Sequence, residues 1–268
     1  MYLKRVVSIA LAFSILSSPI TVLGSASSVH HHNHTESTLY MNALPKAKEN
    51  TPDEGPAKIE KSTKVIEFGE NGEIKDITST EKTVSPSISK RSDVQPQASR
   101  TVTVLAVADE EYRTAYSDWQ NRVQQIVENA DDAFIRDHEI DFQVQAVASW
   151  TSQGANSGQI LADLSVDHPG QNYDFVVGFT NDVNFDAGGI AYVYNTDPGT
   201  AFSVNLDQGI TNTSKAAQHE FSHNYGLGHD PQGSGIQCIM NYDYAYSVDY
   251  WDPAHNNQIA NNKYWYGQ

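Results

Sequence analysis

Apolar and polar residues alternate with period two over TVTVLAV (101–107) and again over IDFQVQAV (140–147), the pattern of strands with one face turned inward. Between them Tyr112, Tyr116, Trp119, Val123, Ile126 and Val127 recur at helical spacing, which predicts a helix over 110–130 with acids crowding its first turn. A short helix is expected near 157–164. YDFVVGF (173–179) is a continuous apolar run and reads as a buried strand, and GIAYVYN (189–195) and AFSVNL (201–206) supply two more. A further helix, opening near 211–214, carries KAAQHEFSHNYG. The order β-α-β-(α)-β-β-β-α predicts an α/β domain on a twisted, mainly parallel five-stranded sheet.

The pattern before residue 101 is different. MYLKRVVSIALAFSILSSPITVLGSASS has a positive start at Lys4 and Arg5, then an apolar stretch from Val6 to Leu16, then small residues at Gly24, Ala26 and Ser28. This is the form of a secretory signal peptide over 1–28, and the apolar stretch is well short of the roughly 20 residues needed to span a bilayer. Residues 29–100 are rich in Lys, Glu, Ser, Thr and Pro, and read as a largely extended pro-segment. One hairpin is expected over 65–78, turning at Asn71-Gly72. Lys90-Arg91 and Arg100 are plausible processing points, so the mature chain is expected to start between residues 92 and 101 and to run as one catalytic domain over 101–268.

Charge follows the same division. The 268 residues carry a formal net charge of −16, yet residues 1–100 hold 12 basic and 11 acidic side chains, against 5 and 22 in 101–268. A surface this acidic repels phosphate backbones and anionic lipid, which argues against nucleic-acid partners and against stable membrane association. A secreted, extracellular monomer is the expectation. The single cysteine, Cys238, excludes an intramolecular disulfide, so stability must come from packing or metal.

The chemistry is concentrated in one run: His219-Glu220-Phe221-Ser222-His223-Asn224-Tyr225-Gly226-Leu227-Gly228-His229 matches H-E-x-x-H-x-x-G-x-x-H at every fixed position. His219 and His223, four apart on a helix, present both imidazoles on one side. Gly226 permits the positive φ that ends the helix and lets His229 return as a third nitrogen. Three imidazoles leave a fourth position on Zn2+ for water, and Glu220 lies close enough to reach that water. A chance match arises about 4 times in 100,000 sequences of this composition. Zinc-activated water with Glu220 as general base is the chemistry of peptide-bond hydrolysis, and its substrates are proteins or peptides.

The extended motif, with Met240 and Tyr242 eleven and thirteen residues past His229, resembles the metzincin clan of zinc metalloendopeptidases. That resemblance implies a Met-turn at Met240 beneath three zinc ligands, His219, His223 and His229. His229-Asp230 and Cys238-Ile239-Met240 resemble adamalysins, whereas the place of Tyr242 resembles the zinc-proximal tyrosine of astacins. The mixture is similar to a family of small secreted bacillar metalloproteases. Tyr242 is then expected either to donate to the developing oxyanion or to approach the zinc, although it could equally be one of several packing tyrosines. Asp230 is expected to be a structural carboxylate near the Met-turn, and the strand at 189–195 is expected to be the edge along which substrate adds.

Relatives held latent by a pro-segment cysteine offer no precedent, since no cysteine precedes Cys238. Asp53, Asp76 or Asp93 could cap the metal, and nothing selects one. His30, His31, His32 and His34 read as a solvated stretch or as a second metal-binding run. Asp182-Val183-Asn184-Phe185-Asp186-Ala187-Gly188 begins like a Ca2+ loop but has Ala187 at the sixth position and Val193 at the twelfth, so a turn is the better account and structural Ca2+ the lesser one. Two rivals to the enzyme stand: a secreted zinc-binding or adhesive module without catalysis, and a zinc-stabilised structural domain. The first would lose Glu220 or a ligand, and the second would want a fourth protein ligand.

Overall fold

Eight strands form one sheet in the order β1-β7-β8-β6-β4-β5-β2-β3. The computed structural model describes residues 40–52, 64–68, 73–79, 99–170 and 172–268, all within one unit, Ser37–Gln268. The signal peptide, the histidine run, Asp53, Asp93 and Lys90-Arg91 lie outside the described residues. Among the described residues no helix is long and apolar enough to cross a membrane.

The centre of the sheet is what the alternation predicted. β4 (Arg100–Ala108) pairs in parallel with β5 (Ile140–Ser149) on one side and β6 (Phe175–Thr180) on the other, and β6 pairs in parallel with β8 (Ala201–Leu206). β7 (Gly189–Val193) runs antiparallel to β8. Five strands were expected in this sheet and eight are present among the described residues, because both edges of the five are extended by the segment before residue 100. β1 (Tyr40–Leu44) adds antiparallel to β7, and β2 (Lys64–Phe68) adds parallel to β5. β3 (Ile74–Ser79) closes the expected hairpin with β2, whose turn residues lie outside the described residues. An edge strand carries a row of unpaired N–H and C=O groups, and pairing by a neighbouring segment satisfies them. β1 left no alternation strong enough to be predicted.

The sheet is covered on both faces. α2 (Trp119–His138) and the inner helix α4 (Ile210–Asn224) pack on one, where Val102, Val104, Phe142, Phe175 and Phe221 form the larger core. α3 (Ser157–Asp167) covers the other with Ile160, Leu161 and Leu164 against Leu105, Val107 and Val204. Successive β4 side chains thus enter opposite cores, which is the period of two expressed in space. The single helix expected over 110–130 is two. α1 (Glu110–Ala115), capped by Asp109 accepting from the Tyr112 N–H at 2.8 Å, stops at Tyr116, whose backbone is extended. The break lets Tyr116 and Arg122 converge on Asp207: the Tyr116 hydroxyl donates to it at 2.5 Å and the Arg122 guanidinium at 2.9 Å. That pair anchors the loop from which α4 begins. α5 (Pro253–Asn262) and a short 3-10 turn (Lys263–Trp265) finish the chain.

Candidate active site

α4 leaves β8 through Asp207, Gln208 and Gly209, with Gly209 in a positive-φ conformation (81°) at its N-cap. Residues 216–224 of this helix are buried without exception, so its motif residues face protein and cleft, not open solvent. The C-terminal end is fixed to the sheet by Asn224, whose amide donates to the Tyr192 and Phe202 carbonyls at 2.9 and 3.1 Å. Gly226 then turns the chain with φ of 88°, its N–H donating to the His223 carbonyl at 2.8 Å. A Cβ at that position would stand 2.8 Å from the Tyr194 carbonyl oxygen, so both the conformation and the close approach call for glycine.

The three histidines meet. His223 Nε2 lies 2.8 Å and His219 Nε2 3.1 Å from His229 Nε2. On the far side of each helical ring, His219 Nδ1 is 2.7 Å from the Ile239 carbonyl and His223 Nδ1 2.7 Å from the Leu227 carbonyl. A carbonyl only accepts, so both Nδ1 atoms carry the hydrogen and both Nε2 atoms present lone pairs. Burial first, and then the neighbouring imidazoles, hold these rings neutral. The His219 pKa is pushed down to about 3, His223 is lowered strongly, and His229 falls to about 4 under burial and the charge of His255. The Nε2 atoms of His219 and His223 turn their lone pairs toward His229 Nε2, and three ring nitrogens converging at these separations fit a cation of the zinc type. Its tetrahedral nitrogen ligands stand about 3.3 Å apart at Zn–N distances of about 2.0–2.1 Å. The donor set is complete with three protein ligands.

Glu220 is fully buried beside this group, and neither carboxylate oxygen has a hydrogen-bond partner among the described residues. Burial raises its pKa well above the ordinary carboxylate range, while the backbone N–H of Leu44, which faces it, pulls the other way. Room for Glu220 comes from Gly189 at the start of β7: a Cβ there would lie 2.6 Å from its Oε1. Tyr242 closes the opposite side. Its ring centroid is 4.2 Å from that of His229 and 6.1 Å from that of His219, and its hydroxyl donates to the Ala43 carbonyl at 2.9 Å. Burial raises its pKa to about 12, with the charge of Glu220 adding to the effect, so the phenol keeps its proton at neutral pH.

The turn beneath the histidines is built from Cys238 to Asn241, with the Asn241 N–H returning to the Cys238 carbonyl at 3.0 Å and Met240 fully buried. Asp230 joins it through its N–H, which donates to the Met240 carbonyl at 3.1 Å. Its carboxylate lies 3.6 Å from His255 Nδ1, which also meets Asp252 at 2.6 Å and Cys238 Sγ at 3.3 Å. Cys238 is a buried free thiol, held between the turn and α5, and burial pushes its pKa up to about 12.

Other sequence candidates separate from the site. Asp76 sits on β3, at the opposite end of the sheet from β7. Asp182 accepts the Asn184 N–H at 2.7 Å, and Asp186 accepts both the N–H and the hydroxyl of Ser157, at 3.0 and 2.6 Å. The segment is a turn pinned to α3. Sequence reasoning did not find Gln208, whose amide nitrogen reaches the Tyr246 hydroxyl at 3.1 Å, nor Tyr246 itself, nor the residues of β1. The Gly188-Gly189 pair was the one available signal, since two glycines opening a strand imply close approach by other atoms.

Three imidazoles, two on the inner helix and the third from the segment that follows it, thus gather beside a buried carboxylate. The family model described as metallo-peptidase family M12 matches residues 98–252, more than half of the sequence, and the chain belongs to that family. Among solved structures, a chain from the structure of a chaperone-substrate complex is similar at 16% identity with a TM-score of 0.45; the match covers 59% of this chain and 30% of that one. No curated protein matches at a significant level.

Proposed function

We propose that the chain is a secreted zinc endopeptidase of metzincin type, made with a signal peptide over 1–28 and a pro-segment over 29–100. The observation that carries this reading is the convergence of three neutral imidazoles, His219 and His223 buried and His229 partly so, next to the fully buried carboxylate of Glu220. Bound zinc would supply Lewis acidity, activating water and polarising the scissile carbonyl. His219, His223 and His229 would hold it, the first two oriented by the Ile239 and Leu227 carbonyls.

Glu220 takes the proton from the attacking water and delivers it to the leaving amine. Burial raises the pKa of this carboxyl above the ordinary carboxylate range, which favours its holding the proton between the two halves of that transfer. Tyr242, protonated at neutral pH, donates its hydroxyl to the oxygen on which negative charge develops. β7 orients an extended peptide by backbone pairing. The acidic mature chain favours encounters with cationic substrates, without defining a pocket. An adhesive module has no use for a fully buried carboxylate beside three converging imidazoles.

The reading is tested by casein hydrolysis before and after treatment with a zinc chelator. Loss of activity on chelation and its return on adding zinc are expected. Hydrolysis untouched by complete removal of metal would sink the proposal.

A further inference from the structure

We propose that this chain is a substrate of its own active site, and that the peptide bond it cuts is Ala43–Leu44. The inference rests on the peptidase reading above and adds a defined bond to it.

β1 lies on β7 as an added antiparallel strand, pairing from Tyr40 with Val193 to Leu44 with Gly189. The Gly188 N–H donates to the Leu44 carbonyl at 2.7 Å, which fixes the register at the site. At this register one peptide bond has both of its polar ends facing the reactive groups. The Ala43 carbonyl accepts the Tyr242 hydroxyl at 2.9 Å, and the Leu44 N–H faces Glu220. The carbonyl is therefore presented to the oxyanion donor, and the leaving nitrogen to the proton carrier. The Leu44 side chain is 1% exposed, buried with Ala216 and Ala245 and flanked by Tyr242 and Tyr246.

The chain beyond the bond is held as firmly as the bond itself. The Pro45 carbonyl accepts the Tyr246 hydroxyl at 2.8 Å, the Ala47 N–H donates to Gln208 Oε1 at 2.6 Å, and the Thr51 N–H donates to the Gln208 carbonyl at 2.9 Å. Asn212 donates its amide to the Glu49 carbonyl at 2.8 Å. A Cβ on Gly188 would lie 2.7 Å from the Pro45 carbonyl, so the glycine makes room for this passage. On the other side of the bond Tyr40 and Met41 are exposed and pair with Val193 and Tyr192 of β7.

In the proposed step, water oxygen adds to the Ala43 carbonyl carbon and the C–N bond to Leu44 breaks. Both water protons pass by way of Glu220 to the Leu44 nitrogen, leaving an Ala43 carboxylate and a Leu44 ammonium. Until that step the edge of β7 is filled, so foreign peptides are excluded without any cysteine on the metal. The cut releases the chain up to Ala43. Residues 44–52 stay attached through the rest of the pro-segment until a second cut between 92 and 101 removes them.

The test uses the full-length chain in three forms, wild type, Glu220→Gln and Leu44→Asp, each supplied with zinc. N-terminal sequencing, intact mass and hydrogen exchange over 40–44 and 189–193 are read on each. Expected are a fragment beginning at Leu44 from the wild type, an uncut Glu220→Gln chain with both strands protected from exchange, and no cut at this bond in Leu44→Asp. The Leu44→Asp chain should also lose protection over 189–193, because a carboxylate does not seat in the apolar pocket. Wild type that digests casein yet yields new termini only elsewhere overturns the inference and leaves the peptidase reading intact. A Leu44 terminus of equal yield in Glu220→Gln assigns the cut to another protease and overturns it too. Wild type that cuts neither casein nor itself overturns both.

Discussion

His219 Nδ1 lies 2.7 Å from the carbonyl oxygen of Ile239, the residue immediately before Met240. The turn under the site therefore sets the tautomer of His219, and the Leu227 carbonyl does the same for His223 just past the helix end. Ring orientation is bought by backbone geometry on both sides of the motif. Replacing His223 by Ala leaves two imidazoles and an open cavity, and the chain is expected to lose its zinc by elemental analysis together with all hydrolysis. Stoichiometric zinc in His223→Ala would place the metal elsewhere.

Tyr242→Phe removes one hydroxyl from the site and keeps the ring that packs 4.2 Å from His229. If the hydroxyl serves the developing oxyanion, kcat on a short fluorogenic peptide falls about 10²-fold while KM stays near the wild-type value, the effect typical of losing one oxyanion donor. An unchanged kcat would reduce Tyr242 to a packing residue.

Gly189→Ala tests how tightly Glu220 is placed. The new Cβ would stand 2.6 Å from Glu220 Oε1 in the fully buried site, so either the carboxylate or the strand must move. Activity is expected to fall steeply with zinc content unchanged, and overpacking of this kind costs about 1–3 kcal/mol of stability. A variant as active as wild type would show that the site adjusts freely around Glu220.

Acid should destabilise the metal-free protein through its histidines. Burial lowers the pKa of His138, His168, His219, His223 and His229, with His219 near 3 and His229 near 4. As pH falls below about 6.5 the unfolded chain takes up protons that the folded chain refuses, so stability is full above that pH and is lost below it. The loss reaches up to about 1.4 kcal/mol per pH unit for each histidine that stays neutral. Glu220 opposes this, since its raised pKa makes the folded form bind a proton first. Urea unfolding of chelated Glu220→Gln at pH 7.5 and 5.5 isolates the histidine effect. Lower stability at pH 5.5 is expected, and equal values would contradict it.

The central strands and the clustering of the three histidines were legible because each rests on a short-range rule. Alternation fixed which β4 residues face which core, and the four-residue spacing of His219 and His223 fixed a shared helix side. Gly226 signalled the turn that returns His229. The break at Tyr116 was hidden because Tyr116 and Trp119 still satisfy helical spacing; the contact that ends α1 is with Asp207, 91 residues along the chain. β1 was hidden for a related reason. Tyr40–Leu44 has little pattern of its own and becomes a strand only against β7, through pairing that no local window contains. Gln208 and Tyr246 matter through that same strand, and so were equally invisible.

The most direct measurement pairs zinc content with hydrolysis of a protein substrate in wild type and Glu220→Gln. The expected result is one zinc per chain in both, with casein cleaved by the wild type and cleavage reduced at least about 10²-fold in the variant, the range for removing a general base. Full casein hydrolysis by Glu220→Gln, or a wild-type chain that cleaves casein while holding no zinc, would contradict the assignment of this site as a zinc peptidase centre.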